Sequence, residues 1–411
     1  MIYIIGAGIS GLSVADNLKR DFKIFEKSDH IGGISTQYNS GGYWFDFSGH
    51  YFHFQKKEDV KKYVKRFSHL KKYRRDSRIF IFDKFVPYPV QYHLSHFPEK
   101  ISKKIFEEIT SGDLGVRINL ADSLRSNFGD TLYEMFFRPF LTKYYRRDPA
   151  NIIPEMDKGS IPVPDRKSVE EGLAGKDFSE KGYNADFYYP SRGLRVFIDK
   201  MGKKVAHNIN YNEEVCKINI YDHLITTNKR EYKYSEIVNT MPLRNLARCL
   251  DPSPEWMEYS TLLESVSTIV VNVILNKKKH GFHWVYLPNE SSDFYRAGYY
   301  PNHPATACYL ERSIENNEYF DYDEIRKSAV SLMKKMEMID DESDVIHLDI
   351  LKIPDSYIIF NKEWNKTVPR MLGMLSKNNI YSIGRYGSWN YSSMSEDIKN
   401  GILTADILNG K

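Results

Sequence analysis

The chain contains few cysteines, no long apolar run and little excess charge. Its 411 residues include three cysteines, Cys216, Cys249 and Cys308, which are far apart in the sequence. This spacing excludes a disulfide framework and a CxxC metal site, and it fits a reducing cytoplasm. The 58 basic and 54 acidic residues leave a net charge of +4, which is too even to indicate a nucleic-acid partner.

Membrane and targeting signals are lacking as well. No uninterrupted apolar run approaches the ~18 residues that a membrane-spanning helix needs. The chain begins with a strand-like segment and shows no signal peptide. We therefore expect a soluble, cytoplasmic protein with no transmembrane segment. The length predicts two or three structural units, whereas the sequence leaves open whether the chain forms a homo-oligomer.

The first residues carry a glycine-rich turn between a strand and a helix. The apolar segment Ile2–Ile5 is followed by Gly6, Gly8 and Gly11 in GxGxxG spacing. In this pattern Gly6 allows the tight turn, Gly8 lets a pyrophosphate approach the backbone, and Gly11 lets the helix pack closely on the strand. A second apolar segment ends in Glu26, where a carboxylate accepts hydrogen bonds from ribose hydroxyls. The pattern predicts dinucleotide binding.

A second glycine pair favours FAD over NAD. Gly32 and Gly33 follow Glu26 after six and seven residues. They resemble the second glycine pair of FAD-dependent flavoproteins of the amine-oxidase-like and mutase-like classes. The alternative interpretation is an ordinary loop.

The order of predicted elements indicates interleaved domains. A helical pattern begins near residue 59, and a long segment rich in Pro, Gly, Asp and Lys, residues 146–181, has the composition of a lid or binding loop. The chain closes with a strand, a glycine turn and a helix. In flavoproteins of the glutathione-reductase-like class, such a closing segment returns to complete the FAD domain.

We therefore expect an α/β fold: a Rossmann-like, glutathione-reductase-like FAD-binding domain with an inserted helical domain and an antiparallel-sheet substrate domain. The FAD-binding domain is predicted to be discontinuous. The expected bounds are 1–58, 190–245 and 376–411 for the FAD-binding domain, 59–189 for the mainly helical domain with its substrate loop or lid, and 246–375 for the antiparallel-sheet domain.

Six short motifs follow the FAD pattern in order. They are SGHYFHF from Ser48, PYPVQ from Pro87, RPFLTKYY from Arg138, NADFYYPSRG from Asn184, FYRAGYYPN from Phe294 and GRYGSWNY from Gly384. Together they resemble the UDP-galactopyranose mutase family, and its eukaryotic-type sequences more than the short bacterial ones. The resemblance extends over most of the chain in separate motifs.

The resemblance implies an isomerase that interconverts the pyranose and furanose forms of a UDP-galactose-like nucleotide sugar. It implies reduced FAD as a covalent nucleophile at the sugar, NADPH or NADH as the reductant, and a place in cell-surface polysaccharide biosynthesis through galactofuranose. Arginine forks would hold the diphosphate, and tyrosine hydroxyls would add neutral donors.

The resemblance also implies roles for individual residues. The residues implied in catalysis are His50, Arg296 and Arg385. The residues assigned to FAD, from the glycine turn and from the resemblance, are Gly6, Gly8, Gly11, Glu26, Gly33, Gly49, His50, Gly384, Arg385 and Tyr391. The residues implied in substrate binding are Tyr88, Gln91, Tyr144, Asn184, Arg296, Tyr357, Arg385 and Tyr391. Among these, Tyr88 and Gln91 are expected at the uridine.

The sequence departs from the family pattern at several positions. Tyr144 stands in place of a tryptophan, Gly193 and Leu194 in place of a glycine pair, and Ser395 in place of an asparagine. The predicted lid offers no unambiguous match for the first lid arginine of the family. The base and the sugar of the substrate are therefore left open.

Other interpretations of the same residues remain. An FAD-dependent oxidoreductase of the amine-oxidase or protoporphyrinogen-oxidase class would share the first motifs, although it would not need arginines that converge on a diphosphate. A flavin-binding scaffold without catalysis is a non-enzymatic alternative. Each arginine could instead form a surface ion pair, and Tyr88 and Tyr357 could simply pack.

The histidine pair in FDFSGHYFHF could be read as a metal site. On a helix, His50 and His53 would share one face, but the flanking Phe45 and Phe47 alternate as in a strand, and no third ligand is near in sequence. We expect no metal. Instead we expect His50 to contact the flavin, with Gly49 allowing close approach of the backbone, and His53 to be a supporting or packing neighbour.

Overall fold

The computed structural model describes residues 1–111, 117–156, 161–182, 184–251 and 253–410. The strands of these residues are β1 (Ile2–Ile5), β2 (Phe22–Phe25), β3 (Gln37–Ser40), β4 (Tyr43–Asp46), β5 (Leu70–Arg74), β6 (Ser77–Ile81), β7 (Lys84–Pro87), β8 (Asp186–Pro190), β9 (Ile209–Asn210), β10 (Val215–Asn219), β11 (Leu224–Thr227), β12 (Glu231–Lys233), β13 (Glu236–Asn239), β14 (Ser265–Leu275), β15 (Trp284–Tyr286), β16 (Arg296–Tyr299), β17 (Thr306–Ile314), β18 (Val345–Ile358) and β19 (Ile380–Ser382).

The helices follow the same order along the chain. They are α1 (Ile9–Asn17), α2 (Glu58–Lys65), α3 (Glu99–Ser111), α4 (Leu120–Leu132), α5 (Arg138–Tyr145), α6 (Arg166–Leu173), α7 (Leu194–Lys203), α8 (Leu243–Cys249), α9 (Pro254–Leu262), α10 (Tyr322–Lys335), α11 (Trp364–Lys377), α12 (Gly384–Gly387) and α13 (Met394–Asn409). Within the described ranges, none of these helices is long and apolar enough to cross a membrane.

A parallel sheet of five strands forms the first layer, in the order β19-β13-β1-β2-β9. All four residues of β1 are buried, because helices α1 and α13 cover one face of the sheet and the rest of the core covers the other. Its strands come from three distant parts of the chain, so that β13 and the closing β19 complete the sheet begun by β1. The predicted α/β fold with a Rossmann-like unit is confirmed.

A seven-stranded sheet forms the second large layer, in the order β18-β14-β17-β16-β15-β6-β7. Its pairs are antiparallel except for β15 and β6, which run parallel. Every residue of β14 is buried. The antiparallel sheet expected within residues 246–375 therefore exists, although two of its strands come from elsewhere.

Strands β6 and β7 lie inside the segment 59–189 that the sequence predicts to be mainly helical. They pair through the register Ser77 opposite Trp284 and Arg78 opposite Pro87. The alternation of Ile79, Phe80 and Ile81 buries side chains on both faces, which suits a strand inside a sheet. The domain bounds stay a prediction, and the pairing shows that the seven-stranded sheet includes two strands from this segment.

The helical part of that segment presents one aromatic helix to the site. A π-helical turn, Tyr133–Phe137, joins α4 directly to α5, and its aromatic residues pack in the largest hydrophobic core. Helix α5 then carries Phe140 and Tyr144 on the side that faces the seven-stranded sheet. Of the predicted lid, residues 157–160 lie outside the described residues, and α6 forms its only described helix of eight or more residues.

Candidate active site

A cavity of about 1130 Å³ runs between the parallel sheet, the seven-stranded sheet and helix α5. The predicted site residues that line it are Gly6, Gly8, Glu26, Gly33, Gly49, His50, Tyr88, Tyr144, Asn184, Arg296, Tyr357, Gly384, Arg385 and Tyr391. Thus residues from all parts of the sequence meet in one space. Gly11 and Gln91 do not line the cavity.

One end of the cavity is the glycine turn before helix α1. A Cβ atom on Gly8 would meet no atom within 4 Å, so this backbone faces open space, and Gly8 forms a bridge to Gly32. A Cβ atom on Gly11 would instead overlap the carbonyl oxygen of Gly6. The absence of Gly11 from the cavity therefore agrees with its predicted task, which is the close packing of helix on strand.

Glu26 ends strand β2 as a fixed carboxylate at this end of the cavity. Its Oε2 accepts a hydrogen bond from the backbone N–H of Ala7 at 2.8 Å, and its Oε1 accepts one from Ser28 at 2.9 Å. The residue is only 8% exposed. Each oxygen retains a lone pair for a ribose hydroxyl, so the arrangement fits the sugar of a dinucleotide.

The segment Ser48-Gly49-His50 forms another wall. A Cβ atom on Gly49 would lie 2.6 Å from the Tyr309 hydroxyl, which leaves room only for glycine. The Nδ1 atom of His50 lies 3.2 Å from the carbonyl oxygen of Ser48, and since a carbonyl only accepts, Nδ1 carries the proton. Removal from water lowers the pKa of His50 to about 4, so the ring is neutral at pH 7 and its Nε2 is an acceptor.

His53 also lines the cavity, which goes beyond the packing or supporting place predicted for it. Burial lowers its pKa to about 4 as well. Both histidines of FDFSGHYFHF are therefore neutral at pH 7, and both line the same cavity.

Arg296 is held by an ion pair inside the cavity wall. Its Nε and Nη2 atoms donate to the two carboxylate oxygens of Glu311, the latter at 2.8 Å. Glu311 is 1% exposed and also accepts a hydrogen bond from the hydroxyl of Ser48. The Arg296 Nη2 atom lies 3.5 Å from the hydroxyl of Tyr357. The charge of Arg296 is thus compensated on one side of its guanidinium.

Arg385 has different partners. Its Nη1 donates to the carbonyl oxygen of Ser392 at 3.2 Å, its Nη2 donates to that of Ser356 at 3.3 Å, and its guanidinium lies 4.3 Å from the ring centre of Tyr391. Among the described residues, no carboxylate oxygen lies within 4.0 Å of its nitrogens. Ser392 also links it to a buried acid, since the Ser392 hydroxyl donates to Asp397 at 2.6 Å.

The fold and family comparisons agree with this geometry. The family of flavin containing amine oxidoreductases matches residues 9–406. The chain belongs to this family. It is similar in fold to a structure of reduced UDP-galactopyranose mutase, with a TM-score of 0.92 and 22% identity over 100% of this chain and 93% of the other.

Two further structures of the same fold have other activities in their names. A protein assigned as a protoporphyrinogen oxidase from Exiguobacterium gives a TM-score of 0.76 and 14% identity, over 99% of this chain and 98% of that one. A fatty acid isomerase from P. acnes that produces CLA gives a TM-score of 0.67 and 14% identity, over 100% and 98%. At these identities the likeness establishes the fold, and the site must establish the function.

Tyrosine rings from several elements form an aromatic wall of the cavity. The ring of Tyr144 lies 4.1 Å from that of Tyr357 and 5.0 Å from that of Tyr295, centre to centre. Tyr88 lies 5.0 Å from Tyr286. Flat aromatic surfaces of this kind can stack against a nucleobase.

Two predicted substrate residues, Gln91 and Asn184, form hydrogen bonds with other protein groups. Gln91 is fully buried, and its Nε2 donates to the carbonyl oxygen of Pro162 at 2.6 Å, so it ties the predicted lid to the helical part rather than reaching the cavity. The expected contact of Gln91 with uridine therefore stays a prediction. Asn184 lines the cavity, while its Oδ1 accepts a hydrogen bond from Arg75.

Sequence reasoning did not single out several lining residues of this family member. They are Ser48, Tyr286, Tyr295, Tyr309 and Glu311. Period-two alternation in β17 is the signal that could have found Tyr309 and Glu311, since both face the cavity from one strand. The register then places Glu311 directly opposite Arg296, which no pattern within one strand reveals.

Proposed function

We propose that the protein is an FAD-dependent isomerase that interconverts the pyranose and furanose forms of a UDP-galactose-like nucleotide sugar. One observation carries this proposal. Arg385, which forms no ion pair with a carboxylate of the described residues, faces the same cavity that contains the glycine turn and Glu26. The glycine turn and Glu26 form a binding site for a dinucleotide, and Arg385 is a separate cation for a second phosphate group. This combination suits a flavoenzyme that acts on a nucleoside diphosphate.

The residues present fit FAD. The N–H groups at the start of α1 and the open backbone of Gly8 would hold the pyrophosphate, and Glu26 would hold the ribose of the adenosine. Gly49 and Gly384 would flank the ring system. When bound and reduced, FAD supplies a nucleophilic ring nitrogen for the sugar, with NADPH or NADH as the proposed reductant.

The protein's own task is to orient the nucleotide sugar and to stabilise the departing diphosphate. Arg385 donates paired hydrogen bonds to phosphate oxygens, and Arg296 adds the part of its guanidinium that Glu311 does not occupy. The hydroxyls of Tyr357 and Tyr391 are further donors. A donor aimed at charge that develops in the transition state contributes about 3 kcal/mol.

The base and the sugar of the substrate follow from the aromatic wall and from the sequence motifs. The aromatic wall of Tyr88, Tyr144 and Tyr286 provides a stacking surface for a pyrimidine or purine. The choice of UDP and of galactose rests on the motifs, together with the structure of reduced UDP-galactopyranose mutase that shares this fold. The experiment therefore includes other nucleotide sugars.

The test uses the purified, FAD-loaded protein reduced with dithionite. It is incubated with UDP-galactose, and in parallel with UDP-N-acetylgalactosamine and dTDP-sugars, and the products are separated by anion-exchange chromatography. We expect a new peak that coelutes with the furanose form and that forms only with reduced protein. Arg385→Met serves as the inactive control, because it removes the cation and keeps an unbranched side chain.

Two results would overturn the proposal. A protein that binds no FAD would exclude both this function and that of an oxidase. A protein that binds FAD but yields no furanose from any sugar nucleotide of the panel would reject the mutase. Production of hydrogen peroxide from an amine or a porphyrinogen under air would instead assign the oxidoreductase chemistry of the amine-oxidase class.

A further inference from the structure

Strand β18 leaves its regular pairing with β14 where it reaches the cavity. Thr268 pairs with Ile353 and Val266 pairs with Tyr357, so the single residue Ser267 faces the three residues 354–356. Such a bulge bends the strand and redirects the side chains that follow it. Within it, Asp355 has a φ of 52°, a left-handed conformation that aspartate and asparagine tolerate better than most residues.

A buried hydrogen-bond network holds the bulge. The Oδ1 atom of Asp355 accepts hydrogen bonds from the hydroxyl of Ser265 at 2.5 Å, from Nδ2 of Asn316 at 3.2 Å and from Nη2 of Arg244. Asp355 is 8% exposed, and Arg244 forms its ion pair. A second contact, 2.6 Å between the hydroxyls of Thr268 and Ser356, fixes the far side of the bulge.

The last residue of the bulge and the residue after it contact the two arginines of the site. The carbonyl oxygen of Ser356 accepts the hydrogen bond from Nη2 of Arg385 at 3.3 Å. The next residue, Tyr357, places its hydroxyl 3.5 Å from Nη2 of Arg296. Asp355 itself does not line the cavity. It therefore contacts neither ligand nor reacting atoms, and any influence on them must pass through its two neighbours.

We propose that Asp355 is a positioning residue: with Arg244 it fixes the bulge so that Ser356 and Tyr357 hold Arg385 and Arg296 at the spacing a diphosphate requires. This inference rests on the proposed function for the identity of the ligand. The position of the arginines depends on Asp355 whether or not the ligand is a sugar nucleotide, since the network connects protein groups alone. The two phosphates of a diphosphate require both arginines at a fixed distance from each other. Without the network around Asp355 the bulge would move, and Arg385 would lose the Ser356 carbonyl, one of its two carbonyl acceptors.

The test compares Asp355→Asn with wild type, because asparagine keeps the left-handed conformation and removes only the charge. Glu236→Gln is the matched control. Glu236 is likewise a buried acid in an ion pair, with Arg20 at 3.0 Å, but it lies on β13 and does not line the cavity. Arg244→Lys is a second variant that keeps the charge and loses the forked geometry, in case Asp355→Asn does not fold.

We expect Asp355→Asn and Arg244→Lys to raise the Kd for UDP, measured by calorimetry on oxidised FAD-loaded protein, by roughly tenfold. The KM of the furanose-forming reaction should rise in parallel, with a smaller change in kcat, and Glu236→Gln should change neither constant. A merely structural role predicts the same lowered Tm for all three variants with unchanged Kd and KM, and that result would overturn the proposal.

A crystal structure of Asp355→Asn separates this inference from the proposed function. We expect a shift of the Ser356 carbonyl and of the Arg385 guanidinium relative to the wild-type crystal structure. If both groups stay in place, Asp355 is not a positioning residue. If wild type binds no UDP, the proposed function fails, and the displacement of Arg385 in the crystal then decides the positioning role alone.

Discussion

Replacing Asp46 by asparagine should make the stability of the protein less dependent on pH. Asp46 ends strand β4, just before the Ser48-Gly49-His50 wall, and is 2% exposed. The hydroxyl of Tyr189 lies 2.8 and 2.9 Å from its two carboxyl oxygens. Burial raises the pKa of Asp46 to about 8, so the folded protein keeps this proton at pH 7 while the unfolded chain does not.

The sign and the size follow from proton linkage. Between the unfolded pKa, near 4, and about 8, the folded state binds the extra proton, so stability falls as the pH rises by about 1.4 kcal/mol per unit. From pH 5.5 to 7.5, wild type should lose about 2.7 kcal/mol relative to Asp46→Asn. The unfolding entropy is about 2.1 cal/mol/K per residue over 411 residues. The Tm of wild type relative to that of Asp46→Asn should therefore be about 3 °C lower at pH 7.5 than at pH 5.5.

The assay is differential scanning calorimetry of FAD-loaded wild type and Asp46→Asn at pH 5.5 and 7.5. Other titrating groups are common to both proteins and cancel in the difference. Tyr189→Phe is the informative control, because it removes the hydrogen bond that favours the carboxylate, so its stability should keep falling to a higher pH than that of wild type. An equal Tm difference between wild type and Asp46→Asn at the two pH values would show that Asp46 is already ionised when folded.

Three further predictions concern the site. Arg385→Met should weaken UDP binding about a hundredfold, because two charge-assisted hydrogen bonds to the ligand are lost. The double variant Arg296→Met with Glu311→Leu should bind UDP within about tenfold of wild type, because it removes a compensated ion pair. Calorimetry measures both affinities, and a larger loss for the double variant than for Arg385→Met would contradict the charge assignment. His50→Ala should leave the Tm nearly unchanged and lower turnover when reductant is limiting, and unchanged kinetics would refute a role for His50 beside the flavin. Gly11→Ala should cost about 1–3 kcal/mol of stability, since its Cβ overlaps the Gly6 carbonyl, and calorimetry with an unaltered Tm would contradict this.

The dinucleotide end of the site could be predicted from sequence because its chemistry is local. The glycine turn and Glu26 lie within one βαβ unit, so their spacing alone fixes their relation in space. The meeting of Arg296 and Arg385 in one cavity, by contrast, depends on sheet pairings between distant segments, and only the resemblance to a family suggested it.

What could not be predicted depends on register and on side-chain direction. Glu311 is opposite Arg296 because β16 and β17 pair in one particular register, and a shift by one residue would turn it to the other face. Gln91 is the glutamine of the PYPVQ motif, yet a short helical turn directs its amide nitrogen to the carbonyl oxygen of Pro162. Strand β6 joins the large sheet through β15, which is about 200 residues away, and β7 joins it only through β6.

The unequal environments of the two arginines have a consequence for the proposed reaction. Two unpaired guanidiniums would bind the nucleoside diphosphate of the substrate and of the transition state alike, which raises affinity without raising the rate. Here Glu311 offsets the charge of Arg296 directly, whereas the guanidinium of Arg385 is linked to the carboxylate of Asp397 through Ser392. Burial raises the pKa of that acid, Asp397, to about 6, so it is largely ionised at pH 7 and moderates the field of Arg385 from a distance. The attraction for the diphosphate of the bound substrate is thereby limited. The guanidinium of Arg385 still donates hydrogen bonds to the negative charge that develops on the diphosphate as its bond to the sugar breaks. On this reasoning, removing Glu311 alone would tighten the binding of UDP and slow its departure.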